Sequence, residues 1–243
     1  MHTNLRVGII KNWIINYVNK MPKKASALIV GVSGGVDSAV VSTICAMTKI
    51  ETITLSMPIR QIKSQDNLSK LHCKWLKKKF KNIKYYNIDL NNTFATFEKS
   101  LGNHNSEHAF ANSRARLRMT TLYQVAASNN GIVVGTGKVE DFGVGFYTKY
   151  GDGGVDISPI GDCTKTQIWE IAKFLKINDK IINAPPTDGL WSDGRNDEDQ
   201  LGMTYQDLED AMINPNSKNY KKYKKIRDYN LHKMTEIPVC KFK

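Results

Sequence analysis

Residues 27–38 read Ala27-Leu28-Ile29-Val30-Gly31-Val32-Ser33-Gly34-Gly35-Val36-Asp37-Ser38, and the fold is decided there. The first six form a short apolar run, the pattern of a strand buried on both faces. The glycine pair and the hydroxyls that follow are turn chemistry. Ala39-Val40-Val41-Ser42-Thr43-Ile44 then opens a helix. A strand, a glycine turn and a helix N-terminus make a cradle for phosphate. Glycines let the backbone approach the anion, and free N–H groups and the helix dipole attract it. No Lys-Ser/Thr pair follows the glycines, so this is not a Walker A loop, and it is not GxGxxG. The alternative is a loop that grips pyrophosphate with Ser33, Ser38 and backbone N–H groups. Asp37 then reaches a magnesium ion that bridges the phosphates, because hard cations choose carboxylate and phosphate oxygens.

Working outward, strands and helices alternate. A packing helix is expected around Ile10, Trp13, Ile14, Tyr17 and Val18, which recur at helical spacing. Strand 27–32 leads to helix 38–48, strand 51–57 to helix 64–81, and strand 83–89 to helices at 91–101 and 107–128. Strand 131–135 follows, then a Gly-rich, loop-like stretch over 137–162. Helices are expected at 164–175, 204–213 and 217–228. Segment 184–202 is rich in Pro, Gly and Asp, a composition found in lids and substrate loops. Repeated βα units predict an α/β fold, doubly wound, with a mostly parallel sheet flanked by helices. In such sheets ligands sit at the C-terminal ends of the strands, where the 33–38 loop lies. No repeat or linker divides the 243 residues, so one domain over 1–243 is expected.

Composition narrows the partners. The net charge of +12 fits an anionic partner, nucleic acid or a polyphosphate substrate, although ordinary surface lysine gives the same sum. The lysine blocks at 70–81 and 218–227 read as solvated helical faces. The four cysteines are scattered without a CxxC pair, which argues against a disulfide framework or zinc site and fits a reducing cytoplasm. No apolar run reaches membrane-spanning length, and the N-terminus lacks a secretory core.

The Ser33–Ser38 string resembles the pyrophosphate loop of N-type ATP pyrophosphatases, which split ATP into AMP and pyrophosphate while adenylating a substrate oxygen. The superfamily's adenine-nucleotide alpha-hydrolase-like, Rossmann-like fold agrees with the βα pattern. A second block narrows the resemblance: residues 135–162 contain Gly135-Thr136 and the run Phe146-Tyr147-Thr148-Lys149-Tyr150-Gly151-Asp152-Gly153-Gly154. This looks like the signature of NAD synthetases, close to GT-x-x-x-x-E followed by GFFTKYGDGG. The likeness extends to Asn112, Arg116 and Met119, to Lys165-Thr166-Gln167, to Pro186-Thr187 with Leu190-Trp191, and to His232-Lys233.

The resemblance implies amidation of deamido-NAD by ammonia through an adenylated nicotinate carboxylate, in a cytoplasmic homodimer with no nucleic-acid or membrane partner. The carboxylate must be activated before ammonia attacks, and the developing charge on departing pyrophosphate needs cations and N–H donors. Thr136, Lys165 and Thr187 would join the loop on ATP, with Asp37 and Lys165 central to the chemistry. Arg116, Lys149, Asp156, His232 and Lys233 would meet deamido-NAD. The family's metal-binding Glu falls at Asp141 here, five residues after Thr136, while a Glu stands one place earlier at Glu140. Either carboxylate is a candidate magnesium ligand beside Asp37. On a helix, Arg114 and Arg118 share a face and Arg116 points roughly the other way, so the three do not grip one anion. A glutamine-using synthetase carries an additional large amidase domain, for which 243 residues leave no room, so ammonia is the expected nitrogen source. The rival readings are another adenylating pyrophosphatase acting on tRNA and a nucleotide-binding module without turnover.

Overall fold

The strand read at 27–32 is β1 (Ala27–Gly31), the second of two central strands in a parallel sheet ordered β3-β2-β1-β4. The computed structural model describes residues 1–187, 189–190 and 196–242. In chain order the elements are α1 (Thr3–Lys20), β1, α2 (Val36–Met47), β2 (Glu51–Ser56), α3 (Lys63–Lys79), β3 (Ile83–Asn87), α4 (Asn91–Ser100), α5 (Glu107–Ser128) and β4 (Gly131–Val133). Then come α6 (Val139–Val144), α7 (Lys165–Phe174), α8 (Asp179–Ile182), α9 (Asp197–Leu201), α10 (Tyr205–Ile213) and α11 (Tyr220–Met234).

Alternation along β1 builds both layers. Leu28 and Val30 pack with Ile14 and Val18 of α1, Val40 and Ile44 of α2, and Ile168 and Ile171 of α7. Ala27 and Ile29 face the other way, to Phe94 of α4 and to Phe110, Met119 and Leu122 of α5. Because side chains alternate across a strand, a strand buried on both faces must be apolar throughout, as this one is. The chain steps from β1 to β2 to β3 on one side and returns to place β4 on the other side of β1. The switch point between β1 and β4 opens a crevice at their C-terminal ends. Past β4, Val134 bridges Ile157 in parallel, and the Gly135 amide donates to the Ile157 carbonyl at 2.8 Å. The second glycine-rich block is thereby drawn to the sheet beside the crevice.

The expected α/β architecture and most of its elements match, with α5 at the expected bounds. The stretch 137–162 is corrected: it contains α6. Its N-terminus is a capping box in which the Lys138 amide donates to Asp141 Oδ2 at 3.0 Å, and it stops at Gly145, whose φ of +69° suits glycine. Glycines on both sides hide so short a helix from a periodicity reading. The short α8 and α9 were also not expected, and α11 runs on to Met234. The loop reading of 184–202 falls partly on residues 191–195, outside the described residues, as are Asp188, Trp191 and Lys243. Of the N-terminal stripe, Ile10, Ile14 and Val18 are buried, whereas Trp13 and Tyr17 are exposed. No helix among the described residues is long and apolar enough to cross a membrane.

Candidate functional site

The crevice at the switch point is a cavity walled by the loop Gly31–Ser38, by Thr136–Lys138 and Asp141, and by Lys165 and Thr187. Its floor is set by side chains that fix the loop. Ser69 of α3 donates to the Val32 carbonyl at 2.6 Å, and Gln61 donates to the Ser33 carbonyl at 3.0 Å. The Ser33 amide donates to Ser38 Oγ at 3.2 Å, and Ser38 Oγ donates to the Gly35 carbonyl at 2.9 Å. Gly34 has φ +98°, and a Cβ there would stand 2.5 Å from the Gln65 carbonyl oxygen. Only glycine lets the turn lie this close to α3. The amides of Val36, Asp37 and Ser38, in the first turn of α2, have no acceptor among the described residues. They are the free donors an anion needs.

Beside this loop lies a cluster of four charges. Lys165 Nζ donates to both oxygens of Asp37, at 2.8 and 2.9 Å. Lys138 Nζ donates to Asp141 Oδ1 at 2.7 Å and lies 3.7 Å from Asp37 Oδ2. Both lysines are 2% exposed, so neither is a surface lysine. Burial works against the Asp37 carboxylate, but Lys165 and then Lys138 more than reverse it and hold it below its usual range. Burial likewise works against the Lys138 charge, and Asp141 and Asp37 overcome it, holding the ammonium well above its usual range. The Tyr205 ring lies 4.8 Å from one ammonium and 5.4 Å from the other, a cation–π wall behind the cluster.

The placement of Lys165 follows from how α7 begins. The Lys165 amide donates to Glu140 Oε1 at 2.7 Å, the Thr166 amide to Glu209 Oε1 at 3.0 Å, and the Gln167 amide to Thr164 Oγ1 at 3.3 Å. Three orphan donors of the helix are thus met by three side chains, two of them acidic at the positive end of the dipole. Glu140 is 1% exposed, and its Oε2 is buried with no hydrogen-bond partner among the described residues. Burial pushes its carboxyl up to about 7. The two acidic neighbours therefore differ: Asp141 lines the cavity, and Glu140 stands behind it and anchors α7.

The residues expected on the second substrate are more scattered. Arg116 is exposed and donates to the Lys149 carbonyl at 3.1 Å. Lys149 Nζ lies 5.5 Å from the Tyr150 ring centre. Asp156 accepts from Tyr123 Oη at 3.1 Å and from the Val133 amide at 2.7 Å, next to a shallow hollow lined by Tyr123, Tyr150 and Met119. Lys233 donates to the Tyr147 carbonyl at 2.8 Å, and Tyr147 Oη donates back to the Lys233 carbonyl at 3.0 Å. Burial holds Lys233 below its usual range. His232 is exposed near the end of α11. Of the arginines, Arg114 is 4% exposed and bound to Glu107, while Arg118 lines the cavity and donates to the Met57 carbonyl at 3.0 Å. The separation of Arg116 from the other two is as the helical geometry required.

Comparison with known proteins gives this geometry a family. The family model described as NAD synthase matches residues 7–241. The chain belongs to the NAD synthase family. The NH(3)-dependent NAD(+) synthetase of Carboxydothermus hydrogenoformans is 39% identical over 82% of this chain and 83% of that protein. The one from Mesoplasma florum is 36% identical over 93% of this chain and 91% of its own length. Among solved structures, the NMN synthetase of Francisella tularensis superposes with a TM-score of 0.90 at 28% identity, covering 100% of both chains.

Among the residues that line this cavity, reading the sequence missed Lys138, Arg118 and Gln61. Lys138 carried one weak signal, a lysine three residues before an acid. Arg118 was read only for its helical face. Gln61 carried no signal, since its role depends on where α3 meets the loop.

Proposed function

We propose that this chain is an ammonia-dependent ligase that converts the carboxylate of deamido-NAD to the amide of NAD while ATP is cleaved to AMP and pyrophosphate. The observation that carries the reading is the Asp37–Lys165–Lys138–Asp141 cluster against the free amides of Val36–Ser38. Cleavage between the α and β phosphates puts developing negative charge on pyrophosphate, and a loop of free amides flanked by two ammonium groups suits that charge. The nicotinate oxygen attacks the α-phosphorus, pyrophosphate leaves, ammonia attacks the acyl carbon, and AMP leaves. The work left to the protein is alignment and charge stabilisation.

Asp37 and Asp141 are the residues that would hold magnesium. Their donors are hard oxygens, and both face the same ammonium, at 2.7 and 3.7 Å. No group of three or more His, Cys, Asp or Glu suited to a metal occurs among the described residues. Two carboxylates with phosphate and water oxygens completing the shell is the usual arrangement for magnesium. When bound, the ion neutralises phosphate charge. Gly31–Ser38, Thr136, Lys165 and Thr187 are assigned to ATP, and Arg116, Lys149, Asp156, His232 and Lys233 to the acceptor nucleotide.

The reading includes one NAD synthase unit over 1–243 in a cytoplasmic homodimer. The family match over residues 7–241 supports the first. An exposed apolar stripe on α1, formed by Leu5, Ile9, Trp13 and Tyr17, supports a self-contact. Cys45, Cys73 and Cys163 are buried and free, which suits a reducing compartment.

A second acceptor is favoured by one observation. The NMN synthetase of Francisella tularensis matches along the whole of both chains. The acid corresponding to NMN is the nicotinate mononucleotide, which lacks the adenylate half of deamido-NAD. Measuring kcat/KM for both acids with MgATP and ammonium separates the readings. A higher value for deamido-NAD supports the first, a higher value for the mononucleotide supports the second, and ADP release without amide formation rejects both.

A further inference from the structure

The oxygens of Asp37 and Asp141 are already engaged by this chain's own cations. Lys165 Nζ binds both oxygens of Asp37. Asp141 accepts from Lys138 twice, from Nζ at Oδ1 and from the amide at Oδ2. Lys138 Nζ stands between the two carboxylates, 2.7 Å from one and 3.7 Å from the other. Buried lysines are rare unless paired, and this one has two acidic neighbours on the cavity wall.

Charge counting gives the consequence. Two carboxylates and two ammoniums sum to zero, so the cluster offers little attraction to a free divalent ion. Without Lys138 the same groups sum to −1, with a vacated gap between two hard-oxygen donors. Arrival of a triphosphate adds several negative charges, so a divalent cation is then attracted with both ammoniums still present.

We propose that the Lys138 ammonium is a resident counter-ion in the gap between Asp37 and Asp141, which makes divalent-metal binding at that pair conditional on the nucleotide's phosphates. Lys138 is thus a positioning residue. It occupies the space between the two carboxylates and yields that place when nucleotide and metal arrive together. The proposal rests on the reading of Asp37 and Asp141 as metal ligands.

The test is Mn2+ binding to the full chain, followed by electron paramagnetic resonance, with and without a non-hydrolysable ATP analogue. Wild type binds free Mn2+ weakly and gains affinity steeply with the analogue. K138M binds free Mn2+ at least about tenfold more tightly, equivalent to ~1.4 kcal/mol, and the coupling between metal and nucleotide shrinks by the same factor. K138R, which keeps the charge, retains the wild-type coupling. K138M/D141N loses the gain. If circular dichroism shows K138M unfolded, K138Q is read by the same criteria.

A variant that folds, lacks the charge and binds free Mn2+ no better than wild type overturns the proposal. The underlying reading fails separately. If D37N and D141N leave Mn2+ binding in the presence of the analogue unchanged, those carboxylates are not the ligands. If they weaken it while K138M gains nothing, the counter-ion role alone is wrong. A merely structural Lys138 would shift the melting temperature and leave the coupling unchanged.

Discussion

Lys165 and Glu140 show how one residue's chemistry depends on another's placement. Lys165 is 2% exposed with its ammonium on both oxygens of Asp37, and its amide is held by Glu140. Removing one preorganised cation or donor at a developing charge typically costs about 10²–10³ in rate. K165M is therefore expected to lower kcat for AMP release by that order with the fold intact by circular dichroism, and near wild-type turnover would remove Lys165 from the chemistry. Glu140 makes a prediction about pH. Its carboxyl is raised to about 7 by burial, against 4.5 for an ordinary glutamate. Between these values the folded chain holds a proton that the unfolded chain has released, so this group's contribution to stability is lost as pH rises through about 7. E140Q carries no such charge. Its melting temperature relative to wild type is expected to be higher at pH 8 than at pH 5.5, and a difference independent of pH would contradict the assignment.

At the scale of elements, the β1–loop–α2 unit is the one proposed to grip the nucleotide, and its weak point is Gly34. The positive φ and the Gln65 carbonyl 2.5 Å from a would-be Cβ make G34A both strained and crowded. It is expected to lose about 1–3 kcal/mol of stability and to bind ATP more weakly, measured by chemical denaturation and calorimetric titration. Unchanged stability would mean the turn is looser than described. This unit was legible in the sequence because its signal is local: six apolar residues, two glycines and a hydroxyl-rich helix start. α6 was not, because a six-residue helix in a glycine-rich stretch is too short to show a helical period. The cluster was half legible. Asp37, Asp141 and Lys165 stand in quoted motifs, but Lys138 meets Asp37 across 101 positions of chain, a contact made by the sheet order and by no spacing. Glu140 and Asp141 are adjacent and equivalent as letters. Only the start of α6 turns one to the cavity and the other to α7.

For the whole molecule, α1 presents Leu5, Ile9, Trp13 and Tyr17 at four-residue intervals, all more than a third exposed, with Trp13 and Tyr17 stacked at 5.7 Å. If this stripe is the self-contact, W13E converts a dimer to a monomer in light scattering at micromolar concentration. A wild-type monomer, or a W13E dimer, would move the interface elsewhere. The two halves of the site, the glycine loop after β1 and the block after β4, meet only because the sheet reverses its order between those strands. Their joint product is the central claim, and a single reaction tests it. Purified chain, MgATP, deamido-NAD and an ammonium salt are mixed, and all nucleotide products are quantified together. NAD, AMP and pyrophosphate are expected in equal amounts, with no NAD formed without ammonium. ADP in place of AMP, or AMP release with no amide formed, would contradict it.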